Sequence, residues 1–408
     1  MALTEPLLIG PDHHGRRVAV MDGMIAASPP EGAHVLSCGD GEIAAGAVCA
    51  HTHLYSGLAR YGMPQASPPP ENFVQILERV WWRLDRALDA ETLRVSALDY
   101  VARALLAGTT TLIDHHESPH LIEGSLAILA EVCEQLGMRA LLCYGATERN
   151  FGREEATRGL AECRRVPASQ LIRGMVGLHA SFTVSDDTVR EAGDLARELA
   201  TILHVHVAED LADINDARSR GFDSPLERLS ALGALVPGSI LAHGVHLSRA
   251  QVELAGRLSC WLVQNPRSNE GNRVGYAENL RYSDRVALGA DGWNGDMAEE
   301  EAALFRLAKV HADDRATRRL ATGHALIAER FAAVPRPLAP GALGDLVVRA
   351  NGRVRHVIVG GRIAVENGRL TGGDMDAISS GAQKLAACLW DRMAAMKDER
   401  KSNGASRT

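Results

Sequence analysis

Eight times between residues 46 and 296 of this 408-residue chain, a short apolar run closes on polar or titratable side chains and gives way to a helix-like segment. The runs occupy residues 46–53, 108–117, 139–150, 173–182, 200–210, 238–247, 260–269 and 285–296. Segments such as LAILAEVCEQLG, TVREAGDLARELA, LERLSALGA and RAQVELAGR separate them, with apolar residues three and four apart as an amphipathic helix requires. Strand and helix alternating eight times specify an α/β fold, a closed parallel (β/α)8 TIM barrel over residues 46–336. In that architecture a site forms at the C-terminal ends of the strands, and here the polar residues fall at those ends.

The two ends of the chain have a different character. Residues 16–45 read as short strands broken by turns, and residues 344–370 carry NG and GG turns between β-branched runs. We expect residues 1–45 and 337–375 to pair into one small β-sandwich domain. Residues 376–408 then form a C-terminal helix and a polar tail, ERKSNGASRT, with the composition of a disordered end. Between the first two runs lies a long insertion, read as a proline-rich loop and two helices. An insertion of this length over the site face is a lid or pocket wall. From it Trp81, Trp82 and Asp85 can face a ligand, against the alternative that two tryptophans on one helix serve the core.

Composition narrows the partners. With 46% apolar and 23% charged residues, a net charge of -7 and a pI near 6.2, the chain lacks the basic footprint of a nucleic-acid or anionic-membrane binder. A small-molecule substrate is expected instead. No basic leader precedes a long apolar segment, and nowhere do 18 apolar residues run together, so we expect neither export nor a membrane span. The seven cysteines form no CxxC and fit the reduced thiols of a cytoplasmic protein.

The strand ends, in order, carry His51 and His53 on the first, Asp114, His115 and His116 on the second, and His179 on the fourth. His204, His206 and Glu209 belong to the fifth, His243 and His246 to the sixth, and Asp291 to the eighth. His51 and His53 are two apart, so on a strand both imidazoles share a face. Imidazole and carboxylate are ligands of a divalent transition metal, and three or four of them with one open position define a catalytic site. His206 lies nearer the barrel mouth than His204 and is the better ligand. Asp291 ends an apolar run, where an unpaired carboxylate would cost several kcal/mol, so ligation is favoured. Glu209 lies three residues past His206, where it can reach a bound water and a substrate nitrogen without ligating, which is the position of a proton carrier. All four lysines, Lys309, Lys384, Lys397 and Lys401, lie beyond the eighth run. No strand-end lysine is available to bridge two metals, so one divalent metal per chain is expected.

AHTHL, GTTTLID, GLHASF, HVHVAED, AHGVHL, QNPRSN and LGADG occur in this order. On these motifs residues 5–372 resemble the amidohydrolase superfamily, in its chlorohydrolase and deaminase (ATZ/TRZ-like) branch, which includes atrazine chlorohydrolase, guanine deaminase and adenosylhomocysteine deaminase. The lid segment and DHHESP look most like the SsnA aminohydrolase group. The resemblance implies a mononuclear zinc site, with iron as the alternative, formed by His51, His53, His206 and Asp291. It also implies that His243 polarises the metal-bound water, that Glu209 shuttles protons and that His179 meets substrate. Three departures bear on the substrate rather than the metal: Gln264 replaces the first histidine of the family's HNPxSN, Tyr144 stands where adenosylhomocysteine deaminases have an arginine, and WNGD follows LGADG.

Neighbours on a strand face opposite sides, and of His115 and His116 we place His116 toward the site, with Trp82 and His179 as further substrate-binding residues. His246 reads as a cap or support for the next helix, and His13, His14 and His34 as solvent-facing. Asn265, Ser268 and Asn269 read equally as turn residues holding the barrel mouth, and Arg149 as a carboxylate's partner rather than an anion binder. The expected activity is that of a metal-dependent aminohydrolase, which attacks an amino-substituted nitrogen heterocycle with metal-bound hydroxide and releases ammonia. Hydrolysis of chloride or of a cyclic amide is the alternative, and a catalytically silent binding protein is disfavoured because the ligand set is complete. Tyr144 in place of arginine leads us to expect a free base rather than a nucleoside. A cytoplasmic homodimer is expected.

Overall fold

The structure, a computed structural model, describes residues 5–396. The polar tail singled out in the sequence lies outside the described residues.

The eight apolar runs form eight parallel strands: β1 Ala47–Thr52, β2 Thr109–His116, β3 Arg139–Ala146, β4 Val176–Ala180, β5 Leu203–Val207, β6 Ile240–His243, β7 Trp261–Gln264 and β8 Val286–Leu288. They pair in chain order, each with the next. Every residue of β2 and β3 is buried, because barrel side chains on one face fill the interior and on the other meet the helices. The last strand has only three residues, and the chain beyond it closes the barrel. Ala290 and Asp291 donate their backbone N–H groups to the carbonyl of His51 at 2.9 and 3.0 Å, and His53 donates to the carbonyl of Asp291 at 3.3 Å. The closing seam is therefore built from the residues predicted to hold the metal. Gly289 makes the close approach possible, since a Cβ there would stand 2.9 Å from that of His51.

The chain ends form two antiparallel-rich sheets. One has the order Met24–Ile25, Val18–Met21, Leu7–Ile9, His34–Leu36. The other runs Arg369–Leu370, Arg362–Glu366, Arg353–Val359, Leu346–Ala350, Glu42–Ala45, so the N-terminal strand Glu42–Ala45 joins a sheet otherwise made by the C-terminal part. Ile9, Val20, Ile43, Leu346 and Ile358 share one apolar core. Arg139, at the start of β3 and 1% exposed, ties the barrel to this sheet through a two-pronged pair with Asp345, at 2.6 and 2.9 Å.

The long insertion after β1 is a short 3-10 helix, Leu54–Arg60, then a broken helix and the long helix Ala90–Ala107. The broken helix passes from an α turn, Phe73–Ile76, through a π turn, Leu77–Trp81, into Trp82–Ala87. π turns rotate the following side chains relative to an ideal helix and occur at functional sites. The C-terminal helix Met375–Ala395 braces the lid from outside. Its Trp390 Nε1 donates to the carbonyl of Tyr61 at 3.0 Å, its Arg392 Nε to that of Ala87 at 2.9 Å, and Arg83 reaches back to the carbonyl of Met393 at 2.8 Å.

Candidate active site

The ends of β1, β5 and β6 and the turn after β8 bring five side chains together. Asp291 Oδ1 lies 2.8 Å from His53 Nε2 and 3.3 Å from His51 Nε2, and the Nε2 atoms of His53 and His206 are 3.3 Å apart. His243 Nε2 stands 3.9 Å from Asp291 Oδ2 and 3.6 Å from Glu209 Oε2. Both His243 and Asp291 take positive φ, 75° and 54°. For residues other than glycine that is a strained backbone, of the kind held in place at functional sites.

The hydrogen-bond pattern tests whether this cluster fits a cation. His53 Nδ1 donates to the carbonyl of His115 and His206 Nδ1 to that of His179, both at 2.5 Å. His243 Nδ1 meets Asn269 Oδ1 at 2.8 Å, and His51 Nδ1 meets His204 Nε2 at 3.0 Å. Outer partners on Nδ1 leave the Nε2 lone pairs directed inward at one another and at a carboxylate, an arrangement that repels itself until a positive charge sits among them. The buried Nε2 atoms of His51 and His243 have no hydrogen-bond partner. Burial pushes His51 down to about 3 and His206 well below the usual histidine range, which keeps both as the neutral imidazoles that bind metal. Burial alone would also lower His53, but its hydrogen bond to Asp291 and the nearby charges of Glu117 and Asp291 outweigh it and lift it to about 9. A proton there does what a cation would do. The donor set fits a divalent metal.

Glu209 lies at the edge of this cluster, and Asn272 Nδ2 donates to its Oε1 at 3.4 Å. Burial raises its carboxyl to about 7, although the neighbouring His243 pulls the other way. A carboxyl with that value holds and yields a proton with comparable ease near neutrality. Above the cluster opens a cavity of about 650 Å3, its mouth included. Phe73, Leu77, Trp81 and Trp82 of the lid wall one side, and His179, Phe182, Glu117 and Asp213 stand among the rest of its lining. Arg149 lies with its guanidinium carbon 4.7 Å from the Trp82 ring and donates to Asp85 at 2.8 Å. Trp82 Nε1, Asp85 Oδ1 and Arg149 Nη1 are buried without partners, so the lid side of the site keeps polar atoms in reserve.

The sequence profile described as the Amidohydrolase family matches residues 43–364, the barrel and most of the sheet that follows it. The chain belongs to the amidohydrolase family. The 5'-deoxyadenosine deaminase of Methanopyrus kandleri is 27% identical over 383 residues, covering 84% of this chain and 86% of the relative. The 8-oxoguanine deaminase of Pseudomonas aeruginosa is 27% identical over 392 residues with the same two coverages. Among solved structures, a zinc-bound adenosine deaminase from Xanthomonas campestris superposes with a TM-score of 0.78 at 22% identity, covering 96% of this chain and 98% of that one.

Within this amidohydrolase the predicted residues fall as follows. His51, His53, His206, His243, Asp291 and Glu209 converge, and Trp82 and His179 line the cavity above them. His116 does not. The second strand turns His115 into the barrel, 4.6 Å from the His206 ring, while His116 points outward against Tyr144 and bonds Ser118 Oγ at 2.7 Å. The expectation for His116 is therefore corrected: in a parallel strand buried on both faces, apolar patterning gives no parity signal, and the barrel takes in the other neighbour. Tyr144 is fully buried and accepts from the backbone N–H of Ser118 at 3.3 Å, away from the cavity, so it does not bear on the choice between base and nucleoside. Gln264 likewise points away from the site and accepts from Arg319. The helix after β6 is capped by Ser248, not by His246. Asn269 and Ser268 do more than shape a turn, since Asn269 holds His243 and Ser268 donates to Asp291. Arg149 pairs with a carboxylate as expected, and His13, His14 and His34 are exposed. Glu117 received no role in the sequence reading, although it is buried, lines the cavity and bonds His115 at 2.7 Å. Burial would raise its carboxyl, but His115 and His53 hold it well below the usual carboxylate range.

Proposed function

We propose that this amidohydrolase is a hydrolytic deaminase of an amino-substituted nitrogen heterocycle, converting the amino-bearing ring carbon and water into the corresponding oxo compound and ammonia. The observation that carries the reading is Glu209, a carboxyl poised near neutrality between a cation-binding cluster and an aromatic-walled cavity. His51, His53, His206 and Asp291 would hold one divalent metal, with zinc as the first choice for a set of three imidazoles and one carboxylate. Such a metal, when bound, lowers the pKa of water toward 7 and supplies hydroxide at neutral pH.

The protein's own groups do the rest. Glu209 delivers a proton to the ring nitrogen beside the reacting carbon, regains one from the attacking water, passes it to the departing amino group, and recovers the hydroxyl proton as the carbonyl forms. His243, fixed by Asn269, orients the nucleophilic water against Asp291. His179 and the lid indoles position the flat ring. Related proteins are named as deaminases of nucleosides and of a free oxopurine, which supports amino heterocycles as the substrate class. The test is metal analysis combined with an ammonia-release screen over aminopurines, their nucleosides, aminopyrimidines, pterins and triazines. About one zinc per chain with ammonia from one class is expected. Release of chloride or opening of a ring amide without ammonia would overturn the deaminase reading.

A further inference from the structure

Glu117 is the carboxylate that the proposed chemistry leaves idle. It is 2% exposed and lines the cavity beside His53, His179 and His206. Its Oε1 accepts from His115 Nδ1 at 2.7 Å, and the far nitrogen of His115 is anchored on the carbonyl of Leu178 at 3.0 Å, so the carboxylate is fixed from behind. For Oε2, the nearby ring nitrogen is His53 Nδ1, at 3.6 Å, and that nitrogen already donates to the carbonyl of His115. Among the described residues Oε2 is left as an acceptor facing the cavity.

A second metal does not explain it. Glu117 does group with His53 and His115, and with His179 and His206. Yet the Nδ1 atoms of His53 and His206 are bonded to carbonyls, their Nε2 atoms face each other within the first cluster, and both nitrogens of His115 are engaged. What remains is one carboxylate oxygen and His179, too few donors for a metal. An organic ligand is the better occupant. Among the described residues the lining also includes the carboxylates Asp85, Glu209, Asp210, Asp213 and Asp291 and no lysine or arginine, Arg149 nearby being paired with Asp85, and Asp213 Oδ1 is buried without a partner. Such a cavity favours a ligand rich in hydrogen-bond donors.

Building on the deaminase reading, we propose that Glu117 is a specificity-determining residue: the substrate carries a second exocyclic amino group on its ring edge, whose N–H Glu117 accepts. An ionised carboxylate only accepts hydrogen bonds. A ring entering the cavity displaces water from Oε2, and a bare ring nitrogen there would set lone pair against lone pair and leave a buried acceptor unmet. A matching N–H makes a charge-assisted bond instead.

The test uses metal-loaded full-length protein and compounds that differ by one amino group: 2,6-diaminopurine against adenine, their ribonucleosides, and 2,4-diaminopyrimidine against 4-aminopyrimidine. The readout is the ratio within each pair, in kcat/KM by ammonia release or, for a pair not turned over, in Kd by calorimetry. The diamino member should be favoured by about tenfold or more. Glu117→Gln should bring that ratio to about 1 with metal content kept, and Glu117→Asp, with the charge on a shorter arm, should keep a reduced preference. Ammonia production bears on the deaminase reading and the ratio bears on Glu117, so the two fail separately. Ammonia with no preference, a preference that survives Glu117→Gln, no binding by either member of any pair, or loss of metal from the Gln variant would each overturn the role given to Glu117. A preference in binding without ammonia would overturn the deaminase reading alone.

Discussion

At the scale of single residues, the site is decided by which atom of each side chain is already committed. Four histidines spend Nδ1 on a carbonyl, an asparagine or another histidine, and so present Nε2 to one small volume. Metal removal should expose the cost of that arrangement. Chelation should abolish turnover and lower Tm by roughly 5 °C, with zinc restoring both, because only the folded state binds the metal tightly. A Tm unmoved by chelator and by zinc would speak against a metal there. Glu209→Gln keeps the shape of the proton carrier and removes its titration. Metal content should stay near that of the parent while kcat falls by about 10² or more. Normal turnover in that variant would remove Glu209 from the mechanism.

At the scale of elements, the lid is a helix held at both of its faces. Inside, Asp85 and Arg149 tie it to the end of β3, and outside, Arg392 and Trp390 of the C-terminal helix hold its flanks. The π turn at Leu77–Trp81 lets both Trp81 and Trp82 line the cavity, which an ideal α-helix, with neighbours about 100° apart, makes difficult. Trp82→Ala should therefore raise KM by about tenfold with the metal retained, since it removes binding surface rather than chemistry. An unchanged KM measured on the best substrate of the ammonia screen would show that the indole is wall without contact.

At the scale of the whole molecule, the barrel and the sheet formed by both chain ends are joined by a buried ion pair. Arg139 is nearly inaccessible and its guanidinium meets Asp345 on two bonds, while Asp345 also accepts from the backbone of Gly360 at 2.8 Å. Asp345→Ala would leave a buried guanidinium unpaired. We expect a loss of about 3–5 kcal/mol, read as a lower midpoint in urea unfolding. A midpoint within error of the parent would mean that water or a rearranged neighbour satisfies Arg139.

The order of β1 to β8, the barrel, the long insertion and the residues of the histidine and aspartate cluster were legible in the sequence because each leaves a local mark: an apolar run, a helical period, or a titratable residue at a strand end where none belongs by default. The pairing of the two chain ends was legible from their shared strand and turn chemistry. Which way β2 turns was not. Its residues are buried on both faces, so His115 and His116 look equivalent along the chain, and only pairing with β3 and packing against β5 decide that His115 enters the barrel. The same choice of face brings Glu117 into the cavity and takes Tyr144 out of it. Sequence determined which chemical groups stand at the barrel mouth, because strand ends are local, whereas tertiary structure decided which of them face one another, because facing depends on the register of strands far apart in the chain.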